Sequence, residues 1–177
     1  MSINQIEDEG RIMKLRKLEL KDAPLMLEWM HDDSVVHFMG ANFAEKKIED
    51  CENFVRYSQD CEDDLHMAIV DDNDEYMGTV SLKHINKELK MAEFAITVRK
   101  CAMGQGYSAF GMKEIIRIGL QEIGLDKVLW CVSKLNERAV RFYDKNGYPR
   151  TNDVPEYYKG MYTEEQNALF IWYVVEE

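Results

Sequence analysis

Gly104 and Gly106 stand one residue apart in Met103-Gly104-Gln105-Gly106-Tyr107-Ser108-Ala109, between an alternating apolar run, MAEFAITV (91–98), and a run with helical spacing. A chain that passes from strand to helix in so few residues leaves the first helical N–H groups without carbonyl partners. It also aims the positive end of the helix dipole at the turn. Glycine removes the side chains that would hold an anion away, so the segment reads as a phosphate cradle. The next strand, KVLWCVS (127–133), is apolar almost throughout, as a central strand covered on both faces is. A β-loop-α-β unit is therefore the organising element.

The remaining elements group around it. MKLRKLEL (13–20) alternates as a half-buried strand, Asp22 reads as an N-cap, and Pro24 suits the first turn of a helix carrying Leu25, Met26, Trp29 and Met30. A more charged helix is expected from about Glu45 to Ser58. LHMAIVD (65–71), the turn DDND and EYMGTVSLKHI (75–85) read as a hairpin. The acidic turn is no EF-hand, because Tyr76 and Leu82 fall where that loop needs Gly and Glu. The helix from about Tyr107 buries Phe110, Ile115, Ile116, Gly119 and Ile123 and ends at Gly124. Asn136 caps a second helix, which Gly147 ends. A polar, tyrosine-rich connection then leads to a closing strand, ALFIWYVV (168–175).

With 177 residues, the chain is expected to form a single domain over 1–177, with 1–12 a flexible or additional N-terminal segment. Its formal net charge of −11 disfavours nucleic acid and anionic membranes as partners. Residues 99–150 nevertheless carry ten Lys and Arg against five Asp and Glu, a basic island that suits a bound anion. No run approaches the roughly 20 apolar residues of a membrane helix, MSINQIEDEG is not a secretory leader, and the four cysteines form no CxxC pair. A reduced, cytoplasmic protein is expected. No metal-binding pattern is present, so no metal is expected.

Gly104, Gly106 and Ala109 also satisfy G-x-G-x-x-G/A, the dinucleotide fingerprint. That fingerprint needs an acid at the end of the following strand. Asp126 stands at its beginning, and Ser133 and Lys134 stand at its end. A dinucleotide-binding protein stays as a lesser alternative.

The loop resembles the acetyl-CoA loop of the GNAT superfamily of N-acetyltransferases, Q/R-x-x-G-x-G/A, with Cys101 in place of the first residue and Arg99 and Lys100 just upstream. NERAVRFYDKNGY (136–148) resembles that family's N-x-x-A-x-x-F-Y-x-K-x-G-F/Y segment. LRKLELKDAPLMLEW resembles the first strand and helix of the subgroup containing ribosomal-protein N-terminal and spermidine acetyltransferases. The resemblance implies an α/β fold: a mixed, partly antiparallel sheet of six to seven strands, its central strands flanked by helices on both faces. It also implies acetyl-CoA as co-substrate and a possible homodimer.

Site residues follow from the same resemblance. The backbone of Ile96, Thr97 and Val98 would hold the pantetheine arm and polarise the thioester carbonyl. Met103, Gly104, Gln105, Gly106, Tyr107 and Ser108 would hold the pyrophosphate. Asn136 would contact the cofactor arm or cap its helix. Tyr143, seven residues on and so on the same helical face, would protonate the CoA thiolate. Glu93, a carboxylate in an apolar strand, is either a general base or substrate-orienting group, or an outward-facing edge residue. The amine would lie against Glu28, Trp29 and Tyr157. Implied overall is acetyl transfer by direct attack of a primary amine of a small molecule or protein N-terminus; a non-catalytic acyl-CoA-binding sensor is the alternative of a different class.

Overall fold

The computed structural model describes residues 5–8 and 11–176. Strand β1 (Gln5–Asp8) pairs antiparallel with β2 (Arg11–Lys17). A 3-10 turn then leads into α1 (Ala23–Met30), α2 (Asp33–Val36) and α3 (Ile48–Asp60). The strands β3 (Leu65–Val70), β4 (Tyr76–Asn86) and β5 (Met91–Val98) form an antiparallel meander. Beyond the glycine loop, α4 (Tyr107–Arg117) continues as a π-turn to Ile123 and stops at Gly124, whose φ of +80° ends a helix cheaply only in glycine. The chain closes with β6 (Lys127–Ser133), α5 (Glu137–Lys145), β7 (Arg150–Thr151), α6 (Glu156–Lys159), α7 (Glu164–Leu169) and β8 (Phe170–Glu176).

Among the described residues the sheet has eight strands, ordered β1-β2-β3-β4-β5-β6-β8-β7. The strands additional to the expected set are the edge strand β1 and the two-residue β7. Alternation along each strand sorts side chains onto two faces. Met67, Ile69, Val80, Leu82, Phe94, Val128 and Trp130 pack with Phe110, Met112 and Ile115 of α4 and with Tyr143 of α5. On the opposite face, Ala68, Val70 and Tyr76 pack with Met26, Trp29, Cys51 and Val55 of α1 and α3, while Leu129 and Trp172 pack with Val154 and Tyr158. Helices thus flank both faces. A Cβ on Gly111 would strike the Ile69 side chain, so glycine there lets α4 lie close against β3.

β5 and β6 form the sheet's parallel pair, and their pairing is brief: Met91 with Lys127, Ala92 with Val128, Glu93 with Leu129. Beyond that point β5 stays with β4 as far as Val98 and β6 stays with β8 as far as Ser133, so the two halves of the sheet part. Ala95, Ile96 and Thr97 on one side, and Cys131, Val132 and Ser133 on the other, are only half-buried as a result. The antiparallel remainder removes the dinucleotide-binding alternative, which needs a mostly parallel sheet. Asp126 accordingly lies ahead of β6, 3.7 Å from Lys90.

Other differences from expectation have local causes. Asp22 is not a side-chain N-cap; it is buried, accepting both guanidinium nitrogens of Arg16 at 2.8 Å and the Glu19 amide at 2.9 Å. The polar connection contains two short helices, the second begun by a Thr163–Gln166 capping box, which delays β8 to Phe170. Of the expected N-terminal segment 1–12, residues 1–4 and 9–10 lie outside the described residues.

Candidate active site

The glycine loop lies at the open end of the parted strands. Gly104 and Gly106 have φ of +75° and +89°, which residues with a Cβ rarely adopt, and Gly106 is the N-cap of α4. Among the described residues no backbone carbonyl receives the amides of Gly104, Gly106 or Ser108. These N–H groups and the start of α4 form the anion cradle read from the sequence. Gln105 departs from expectation: its amide donates to the Ala102 carbonyl at 3.3 Å and its side-chain amide to Cys101 O at 2.5 Å, so it braces the loop. Met103 is half-buried, and the exposed Arg138 of α5 reaches its sulfur at 3.0 Å, which sets a guanidinium beside the cradle.

Glu93 is 3 % exposed, so it is not an outward-facing edge residue. It is the last residue of β5 to face β6. Tyr162 donates its hydroxyl to Glu93 Oε1 and also contacts the Cys131 thiol. Glu93 Oε2 is buried without a hydrogen-bond partner among the described residues, and His84 Nε2 lies 3.8 Å from it. Burial, then the Glu93 charge, pushes the Cys131 thiol up to about 12, so it stays protonated and is no nucleophile.

Tyr143 faces the other side of the sheet. Its ring lies edge-on to Trp130 at 5.3 Å and tilted on Tyr173 at 5.1 Å. Burial raises its phenol well above the usual tyrosine range. Glu93 and Tyr143 stand on neighbouring parts of the sheet's two faces: Glu93 pairs with Leu129 of β6, and the Tyr143 ring packs on Trp130, the next residue of β6. Asn136 caps α5, its Oδ1 accepting the Ala139 amide at 3.2 Å. That oxygen is therefore committed to the helix. Ile96, Thr97 and Val98 lie on the stretch of β5 that has left β6.

Three expected amine contacts are placed otherwise. Glu28 is held bidentately by Arg99, with Nε–Oε1 at 2.9 Å and Nη2–Oε2 at 3.1 Å, so its charge is already matched. Arg99 also donates to Glu75 and to the Tyr76 carbonyl, so its guanidinium is matched by these partners rather than left to the glycine loop. Trp29 is buried and donates to the Tyr76 hydroxyl at 3.1 Å, making it part of the α1–β4 core. Tyr157 is exposed; it is Tyr158 that turns inward, to the His84 carbonyl at 3.1 Å. Sequence reasoning missed Tyr162 and His84, because neither lies within the motifs that carried the argument, and Arg138, which falls inside 136–148 at a position that pattern leaves free. The only signal was the density of tyrosines in the connection before β8.

A mixed sheet that parts beside a glycine-lined helix start, with a buried carboxylate at the parting, fits the class of acyl-CoA-dependent acyltransferases. The acetyltransferase (GNAT) domain model matches residues 13–149, and the chain belongs to that family. It is accordingly an N-acetyltransferase whose co-substrate is acetyl-CoA. It is similar to the spermidine N(1)-acetyltransferase of Escherichia coli (strain K12), 26% identical over 136 residues that cover 77% of this chain and 72% of the relative. A spermidine N-acetyltransferase from Vibrio cholerae, solved with CoA and spermine, shares the fold at a TM-score of 0.75 and 16% identity, covering 93% of this chain and 95% of that one. A dodecameric structure of the Vibrio cholerae enzyme aligns at a TM-score of 0.69 and 17% identity, covering 93% of each chain.

The residues present fit acetyl-CoA. Backbone edges left unpaired beyond Glu93 suit an extended amide-bearing arm, and the Gly104, Gly106 and Ser108 amides with Arg138 suit its phosphates.

Proposed function

We propose that this protein, as one cytoplasmic domain, transfers the acetyl group of acetyl-CoA to a primary amine by direct attack, with a polyamine as the leading small-molecule acceptor and a protein N-terminus as the other class. The observation that carries the reading is the placement of Glu93 at the parting of β5 and β6, buried, with one carboxylate oxygen lacking a partner. Acetyl-CoA, when bound, supplies an activated thioester. Glu93 takes the proton that an ammonium must lose before its nitrogen can attack. Backbone groups of Ile96, Thr97 and Val98 orient and polarise the carbonyl, and Tyr143 delivers its phenolic proton to the departing sulfur. Burial keeps that phenol protonated until it is needed. A net charge of −11 draws a polycation toward the protein, and spermidine is the acceptor named for a relative.

The test is release of CoA thiol from acetyl-CoA in the presence of spermidine, an aminoglycoside, or a short peptide with a free N-terminus. Turnover with spermidine supports the reading. Calorimetric binding of acetyl-CoA without thiol release from any amine would make the protein a sensor. The expected homodimer and the dodecamer of the relative are separated by light scattering.

A further inference from the structure

His84 combines a strained backbone with a side chain directed at the partnerless oxygen of Glu93. The β4–β5 register breaks between Lys83 and Asn86, and within that break His84 adopts φ of +52°, the left-handed conformation that a residue with a Cβ occupies only when its surroundings impose it. The surroundings here are specific. The His84 amide donates to Asp64 Oδ1 at 2.8 Å, its carbonyl accepts from the Tyr158 hydroxyl, and the next amide, of Ile85, donates to Asp63 O at 2.8 Å. The result is a His84 side chain 41% exposed whose Nε2 lies 3.8 Å from a Glu93 side chain only 4% exposed. About 1 Å of approach turns that contact into a hydrogen bond.

A buried carboxylate that takes a proton in each turnover must lose it before the next, and Glu93 has little direct access to water. We propose that His84 is the proton exit of the site. The inference rests on the assignment of Glu93 as base. The proton received by Glu93 Oε2 passes to Nε2 of neutral His84, and the imidazolium releases its Nδ1 proton to solvent; Glu93 is then a carboxylate again, and solvent exchange that puts a proton on Nδ1 and takes one from Nε2 returns the ring to its starting tautomer, with no other bond changed. The charged and titratable groups around the relay are Glu93 from β5, Cys131 from β6, Asp64 ahead of β3, Lys83 on its own strand, and Tyr158 and Tyr162 from the connection before β8. His84 acts on the reaction through Glu93 and is a positioning and relay residue.

The decisive variant is His84→Asn, because asparagine tolerates the left-handed backbone and cannot carry the proton. With spermidine as acceptor in dilute buffer, kcat should fall about tenfold or more, with the KM for acetyl-CoA unchanged. Added imidazole should restore kcat in the variant and leave the wild type unaffected, which loss of a structural residue would not reproduce. Independently, the ring 15N signals of His84 in the ligand-free protein should move on Glu93→Gln. An unchanged kcat in His84→Asn, a loss that imidazole does not repair, or ring signals indifferent to Glu93→Gln would each overturn the relay. Wild-type turnover in Glu93→Gln would instead overturn the base assignment.

Discussion

The Tyr162 hydroxyl donates to Oε1 of Glu93, so that of the two carboxylate oxygens Oε2 is the one without a hydrogen-bond partner among the described residues, and the one the proposed mechanism leaves for an amine proton. The arrangement fixes the orientation of the carboxylate as well as its place. Glu93→Gln removes the proton acceptor and should lower kcat/KM by about 10²–10⁴-fold. Tyr162→Phe keeps the acceptor but removes a hydrogen bond to a charged group, usually worth about 1.5–3 kcal/mol, and should lower kcat by about tenfold or somewhat more. Steady-state kinetics decide this; full activity in Tyr162→Phe would reduce Tyr162 to packing.

Tyr143 makes the complementary prediction on the other face. Tyr143→Phe preserves the ring against Trp130 and Tyr173, so the fold should survive. Turnover should fall by about 10²–10⁴-fold with little change in acetyl-CoA affinity. Because burial holds the phenol above its ordinary range, wild-type kcat should show no loss from Tyr143 ionisation below about pH 10. A variant with unaltered turnover would remove Tyr143 from the mechanism.

The cradle is tested by binding alone. Gly106→Ala forces a Cβ into φ of +89°, at about 1–2 kcal/mol, and should weaken acetyl-CoA in calorimetry, because relaxing that strain re-aims the loop amides. Arg138→Ala should weaken binding too, and unlike the glycine variant it should flatten the salt dependence. Equal salt dependence before and after would place the phosphates away from Arg138.

What could be read from the sequence was what local chemistry dictates. Apolar runs and alternation located β3 through β6 almost to the residue, the two glycines located the start of α4, and Asn136 and Gly124 marked helix ends. Of the motif residues, Glu93 lies where β5 parts from β6, Gly104 and Gly106 form the turn into α4, and Tyr143 packs on Trp130. The partners of Arg99, Glu28 and Trp29 went unread because they lie 71, 71 and 47 positions away, and no local pattern distinguishes an ion pair from a charged ligand site. Tyr162 and Glu93, 69 positions apart, meet for the same reason without any sequence signal.

The Arg99–Glu28 pair then yields a prediction that separates structure from specificity. Glu28→Gln should leave the KM for the amine unchanged. The cost is a small loss of stability, about 1 kcal/mol or less, because Glu28 is half exposed and solvent screens the pair. A raised KM for spermidine with unchanged stability would return Glu28 to the amine site.

His66 gives the protein a pH dependence that the site does not share. Burial is the main cause that lowers its tendency to protonate, with Lys83 acting in the same direction and Asp64, at 3.6 Å, opposing it. Its Nδ1 is 2.7 Å from Ser81 Oγ, while Nε2 is buried without a hydrogen bond. The folded state therefore favours the neutral ring. Above the ordinary histidine value of about 6.5, both folded and unfolded chains hold His66 neutral and its contribution to stability is complete. As pH falls below that value, the unfolded chain takes up a proton the folded chain resists. Stability then declines by at most about 1.4 kcal/mol per pH unit until the folded ring itself titrates. Urea unfolding of His66→Gln should show lower stability near neutrality but a shallower decline on acidification from about pH 6.5. Identical slopes in the two proteins would assign the acid sensitivity to other groups.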